Sequence, residues 1–246
     1  MRASTLSLAA LAAAVVIVAD CPPTWSASSI NEPRSTISIL VDLSQTWHNE
    51  RSGNQNRTVL ETVFEAAIEL SKRYHPPTHI RVLPIGDASL MRPPLCDAVY
   101  DPKLISAPSK SGNGFTQETR LRKYLKADCT RFVVSRPREK FTDISGAIDS
   151  AARLALGGRA GDERALIVLS DMKEDLPRGQ IPPELSLPGF RILIVYRVLP
   201  EDRRAPNLLD KRLGEWKARL TGAGGRVEVV PDQGVTPGQV GRLLRD

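Results

Sequence analysis

Two short apolar runs constrain this chain more than anything else in it. Ile37-Ser38-Ile39-Leu40-Val41 and Ala165-Leu166-Ile167-Val168-Leu169 are rich in β-branched side chains and carry no charge. Runs of that length and composition read as strands covered on both faces rather than as helices. A strand buried on both sides needs a layer of structure above and below it. The chain supplies such layers. Residues 58–74 place Val59, Val63, Ala66, Ala67 and Leu70 at helical spacing, and His75-Pro76-Pro77 stops them. Residues 142–156 do the same with Ile144, Ala147, Ile148, Ala151 and Leu154-Ala155, stopped by Gly157-Gly158. Two more helices are expected at 208–220 and 236–245, and further strands at 79–85, 190–198 and 226–230. The alternation predicts an α/β fold, a doubly wound and mostly parallel sheet with helices on both faces. In such sheets ligands sit beyond the carboxyl ends of the strands.

The segment 86–138 interrupts this pattern and reads as an irregular insertion. It holds Pro93-Pro94, the Gly-rich Ser111-Gly112-Asn113-Gly114 and a helix expected at 116–126. One short edge strand is expected around 132–135, and the polar stretch 47–56 reads as a loop. Arg120, Arg122, Lys123, Lys126, Arg131, Arg136, Arg138 and Lys140 make the insertion and its exit basic. Most of these charges read as a solvated face, with some placed to steer an acidic partner.

The first residues differ from the rest. Arg2 precedes a charge-free Ala/Leu/Val run from Thr5 to Ala19, too short for a comfortable membrane span and suited to a signal peptide. The expected organisation is a signal peptide at 1–20, a polar tether at 21–34 and one domain at 35–246, exported to a bacterial periplasm. Val18-Ala19-Asp20-Cys21 is similar to a lipoprotein box, which would make Cys21 a lipidated membrane tether. Asp20 stands where that box has a small neutral residue, so cleavage after Ala19 without lipid is an alternative, and an uncleaved anchor a third. Cys96 and Cys129 then form a candidate disulfide in an oxidising compartment, the alternative being two unpaired thiols. No cysteines show C-x-x-C spacing, which disfavours zinc and redox catalysis. The net charge of +6 is a mild bias towards acidic partners, whereas only 5% of residues are aromatic, too few for a base-stacking platform. With export, this argues against nucleic acid as a partner.

The first strand ends in chemistry. Asp42, Ser44 and Thr46 stand at every second position, so an extended backbone carries them on one side. Carboxylate and hydroxyl oxygens suit a hard cation such as Mg2+ (or Mn2+ or Ca2+). Asp171 ends the second buried strand, and Thr142 opens the helix that leads into it. The set Asp42-x-Ser44-x-Thr46, Thr142-Asp143-Ile144-Ser145-Gly146-Ala147-Ile148 and Val168-Leu169-Ser170-Asp171 resembles the metal-ion-dependent adhesion site of von Willebrand factor A-type domains. The resemblance covers roughly residues 35–245 in element order, with threonine at 46 where serine is commoner.

The resemblance implies that Ser44, Thr46 and Thr142 ligate the cation directly, while Asp42 and Asp171 act largely through waters or the ligand hydroxyls. A shell of neutral hydroxyls leaves the ion under-neutralised, and an Asp or Glu exposed on a partner protein completes it. The function so implied is a non-enzymatic protein-interaction module. Two alternatives stand beside it. One is a haloacid-dehalogenase-type phosphohydrolase with Asp42 as nucleophile, for which Ser170-Asp171-Met172-Lys173-Glu174-Asp175 fits a late motif. Ser44, however, replaces its general acid/base. The other is a metal-free scaffold that keeps the fold and uses the basic insertion for contacts; taken singly, Ser44 and Thr142 also read as helix caps and Asp171 as a turn residue. His48, His75 and His79 form no nucleophile–base pair with another residue.

Overall fold

The structure, a computed structural model, describes residues 34–44, 47, 53–74, 77–102, 117–156 and 162–245. The signal peptide, Cys21, Thr46, His48, His75 and the Gly-rich segment at 111–114 lie outside the described residues.

The two apolar runs are neighbouring strands. β1 (Ser35–Asp42) and β4 (Glu163–Ser170) pair in parallel, with Ile37 opposite Ala165 and Val41 opposite Leu169. β2 (Thr78–Ile85) flanks β1 on its other side, also parallel, and β5 (Phe190–Tyr196) and β6 (Arg226–Pro231) continue the sheet beyond β4. β3 (Cys96–Tyr100) closes the far edge antiparallel to β2, giving the order β3-β2-β1-β4-β5-β6. This is a doubly wound α/β sheet, and its order reverses between β1 and β4.

The alternation along β1 shows why both faces need cover. Ile37, Ile39 and Val41 pack into a core formed with α1 (Gly53–Ser71) and α7 (Pro237–Leu243). Leu40 packs on the opposite face, with Leu166 and Val168 of β4, under α4 (Ile144–Leu156) and α6 (Pro206–Gly222). A short α5 (Pro200–Arg204) precedes α6.

The insertion differs from its sequence reading. Residues 132–135 are not a strand, because Thr130–Val134 is helix α3, which follows α2 (Gln117–Lys123) through a π-helical turn at Tyr124–Cys129. Val133 of α3 is buried in the core beside α1, so the β-branched pair Val133-Val134 yields to tertiary packing. The edge strand is β3 instead. The Cys96–Cys129 disulfide is present and joins β3 to the π-helical turn, with Cα atoms 6.1 Å apart. Part of the basic run is internally paired rather than solvated. Arg122 contacts Glu65 of α1 and lies 2.9 Å from Glu118, and Lys126 lies 3.3 Å from Glu65. α1 also starts earlier than expected, at Gly53, so residues 53–56 of the expected loop are its first turn. Among the described residues no helix is long and apolar enough to cross a membrane.

Candidate metal centre

Asp42 is the last residue of β1 and lies on the same face as Leu40, the face covered by α4. Its carboxylate is fully buried and held at both oxygens. The Ser44 backbone N–H donates to Oδ1 at 2.8 Å, and the Ser170 hydroxyl donates to Oδ2 at 2.6 Å. Ser170 shares that face of β4, and its Oγ accepts in turn from the Met172 N–H at 3.0 Å. The network therefore ties the ends of β1 and β4 together directly above the point where strand order reverses.

Asp171 follows Ser170 and is also fully buried. Its Oδ1 accepts from the Lys173 N–H at 2.8 Å, and among the described residues its Oδ2 has no hydrogen-bond partner. The turn is tight, because Met172 adopts φ 60, a left-handed conformation that costs a non-glycine residue about 1–2 kcal/mol. Trp216 of α6 holds it by donating its indole N–H to the Met172 carbonyl at 3.0 Å.

Thr142 arrives from the insertion along an extension of β1. Ser44 forms a parallel bridge with Glu139, whose N–H donates to the Leu43 carbonyl at 3.0 Å. Thr142 then pairs antiparallel with Asp175, its N–H donating to the Asp175 carbonyl at 2.8 Å and its carbonyl accepting back at 3.1 Å. The expectation that Thr142 opens the helix needs correction by two residues. α4 starts at Ile144, and its N-cap is Asp143, whose Oδ1 accepts from the Gly146 N–H at 2.8 Å and whose Oδ2 accepts from the Ser89 N–H at 3.0 Å. The capping role that Thr142 has when read singly thus belongs to its neighbour. Gly146 makes this cap feasible, since a Cβ there would stand 2.2 Å from Asp143 Oδ2.

The electrostatics follow from the burial. The Asp42 carboxyl is pushed up to about 6, first by burial and second by the negative charge of Asp171, against the hydrogen bonds from Ser170 and Ser44. Two buried carboxylates near enough to repel, one with an oxygen lacking a partner, make a place where a positive charge is favoured.

Ser44, Thr142, Asp42 and Asp171 converge on this edge as three separate chain segments, and Ser44 and Thr142 are each 5% exposed. Among the described residues no three His, Cys, Asp or Glu side chains gather in a metal-holding arrangement. The donor set at this edge is hydroxyls with two carboxylates, and it fits a hard oxygen-seeking cation rather than zinc. Sequence reasoning passed over the roles of Asp143 as cap and Ser170 as the Asp42 donor. The signal for Ser170 was available: it shares the two-residue alternation of Leu166 and Val168 and so lies on the Asp42 face. His79 is a β2 residue as expected. It lies away from this edge, contacting Asp97 and lying 2.8 Å from Arg81 Nη2. Burial and the Arg81 charge lower its pKa.

Strand order and the three motif segments at one carboxyl edge decide the fold. The chain has a doubly wound α/β fold whose element order matches the one the resemblance to von Willebrand factor A-type domains implies. No protein-family model matches it, and no curated protein does. Solved structures similar to this chain include a von Willebrand factor type A protein from Catenulispora acidiphila, with TM-score 0.43 and 13% identity, covering 87% of this chain and 41% of that one. The conserved hypothetical protein BatB from Bacteroides thetaiotaomicron gives TM-score 0.41 and 13% identity, covering 86% of this chain and 100% of that one. Proximal thread matrix protein 1 from the mussel byssus, described with a zinc-occupied MIDAS motif, gives TM-score 0.40 and 13% identity over 87% and 46%. The chain thus spans less than half the length of the first of these. The chemistry assigned to the site comes from this chain's own residues.

Proposed function

We propose that the protein is an exported, non-enzymatic interaction module that binds an acidic side chain of a partner protein through a divalent cation, Mg2+ or a similar ion. Ser44, Thr46 and Thr142 are the direct ligands, and Asp42 and Asp171 act through waters. The observation that carries this reading is the fully buried Asp171 Oδ2, without a partner among the described residues and close enough to the buried Asp42 for their charges to interact. A bound cation would supply an electrophilic position open to an incoming carboxylate. The protein's own residues do the rest. Ser170 and the Ser44 N–H fix the Asp42 carboxylate, and the Asp175 bridge fixes the Thr142 backbone. The phosphohydrolase alternative fits this geometry less well. Both Asp42 oxygens already accept hydrogen bonds, and Asp175 has an exposed side chain and uses its backbone to hold Thr142.

The test is calorimetric titration of the protein with Mg2+, Mn2+ and Ca2+ beside an Asp42→Ala, Ser44→Ala double variant. The reading expects saturable binding in the wild type that disappears in the variant. Binding that survives in the variant would place the ion elsewhere, and no binding with any ion would favour the metal-free scaffold.

A further inference from the structure

A buried arginine stands beside this edge without belonging to the ion-binding set. Arg197 follows β5, and its N–H donates to the Ser170 carbonyl at 3.3 Å, so it adjoins the Asp171 turn. Its side chain is almost wholly buried and makes three engagements. Nε donates to Asp232 Oδ2 at 2.8 Å, Nη1 donates to the Trp47 backbone carbonyl at 2.8 Å, and the guanidinium carbon lies 4.2 Å from the centroid of the Trp47 ring. Asn56, in the first turn of α1, donates to the same Trp47 carbonyl at 2.8 Å. Gln55 reaches Asp232 Oδ2 at 3.2 Å.

Stability does not explain this cluster. A buried Arg–Asp pair gains little over apolar side chains of the same volume, because desolvation offsets the attraction. Here Arg197 Nη2, Asp232 Oδ1, Asn56 Oδ1 and Trp47 Nε1 are buried without partners among the described residues, which adds to the cost. What the cluster does achieve is geometric. It anchors Trp47 by its carbonyl, through two donors from two different elements, and by its ring. Trp47 lies three residues after Ser44, and Ser44 is itself anchored by Asp42 Oδ1 and the Glu139 bridge. Three Cα–Cα steps of about 3.8 Å separate these two anchors, so they stand within about 11 Å of each other.

We infer that Arg197 is a positioning residue of the candidate ion site: by holding Trp47, three residues after Ser44, it restrains the presentation of Ser44 at the end of β1. The assignment to the ion site rests on the proposed function, whereas the clamp on Trp47 does not. A guanidinium suits the task because its planar fork bonds a carboxylate and a carbonyl at once while its face meets an indole. Lysine cannot make all three contacts.

The experiment measures backbone amide exchange by mass spectrometry in the full chain with chelator present, and then Mg2+ affinity by calorimetry. Arg197→Met alone would strand the Asp232 carboxylate, so it is combined with Asp232→Asn. A second variant, Asn56→Ala, removes one donor to Trp47 and leaves Arg197 in place. The clamp predicts faster exchange at 43–47 in both variants, with β4 and α6 as protected as in the wild type, and Mg2+ affinity lower by about tenfold or more, as when a ligand's supporting contact is removed. Unchanged exchange at 43–47 in both variants would overturn the clamp. Faster exchange with unchanged Mg2+ affinity would overturn the positioning role. Faster exchange in a protein whose wild type takes up no Mg2+ would uphold the clamp and overturn the ion reading on its own.

Discussion

Asp42→Asn turns the electrostatic argument into a number. The Asp42 carboxyl titrates near 6 in the folded chain against 3.8 in the reference state. The native state therefore binds more protons than the unfolded state between those pH values, and stability falls as pH rises through that window. Well below pH 3.8 the carboxyl is neutral in both states and adds no penalty. Above about pH 6 the folded protein carries the whole cost of a buried carboxylate beside Asp171. At 1.36 kcal/mol per pH unit, a gap of about two units corresponds to about 3 kcal/mol. Asparagine mimics the protonated acid: its carbonyl can accept from the Ser44 N–H, and its amide can donate to Ser170 Oγ. The variant should therefore lack the pH-dependent penalty. Urea denaturation of both proteins with chelator, at pH 4, 5, 6 and 7.5, is the assay. The stability difference should grow in favour of Asp42→Asn by about 2 kcal/mol between pH 4 and 7.5, part of the full gap having opened already by pH 4. A difference constant across pH would refute the claim that Asp42 is a buried carboxylate opposed by Asp171. Saturating Mg2+ should shrink the gap at pH 7.5, because only the wild type gains stability by binding.

Two further outcomes follow from local geometry. Gly146→Ala in α4 would be favoured by about 1 kcal/mol on helix propensity alone. The Cβ's 2.2 Å approach to the buried Asp143 carboxylate reverses the sign, and loss of the cap should lower stability by about 1–2 kcal/mol in urea denaturation; a gain would contradict the cap. Reducing the Cys96–Cys129 disulfide, or replacing both cysteines by serine, opens a loop of 33 residues and should lower unfolding stability by up to about 4 kcal/mol, read from denaturation midpoints with and without reductant. Unchanged midpoints would mean that the insertion holds to β3 without the bridge.

The parts of this fold that could be read in the sequence are those whose signals are local. β1 and β4 announce themselves because strands covered on both faces carry no polar alternation, and Asp42, Ser44 and Asp171 follow directly from their ends. The edge strand β3 could not be read, because Cys-Asp-Ala-Val-Tyr is short and half exposed, and its register is set by β2 rather than by its own pattern. Phe132 to Ser135 misled in the opposite direction. Their β-branched pair suggests a strand, but a helix continues through them because Val133 is buried against α1 and Cys129 is pinned to β3. Thr142 was placed at the right edge but given the helix-opening position that Asp143 fills. The clamp on Trp47 was beyond reach altogether, since Arg197 and Trp47 are 150 residues apart and nothing in either neighbourhood names the other.

A crystal structure of the protein soaked with Mn2+, with the ion located by its anomalous signal, tests the central claim most directly. The account predicts one ion within about 2.5 Å of the Ser44 and Thr142 hydroxyls, with Asp42 and Asp171 reaching it through waters. An ion bound elsewhere, or a water hydrogen-bonded to Asp171 Oδ2 in place of an ion at saturating Mn2+, would contradict it.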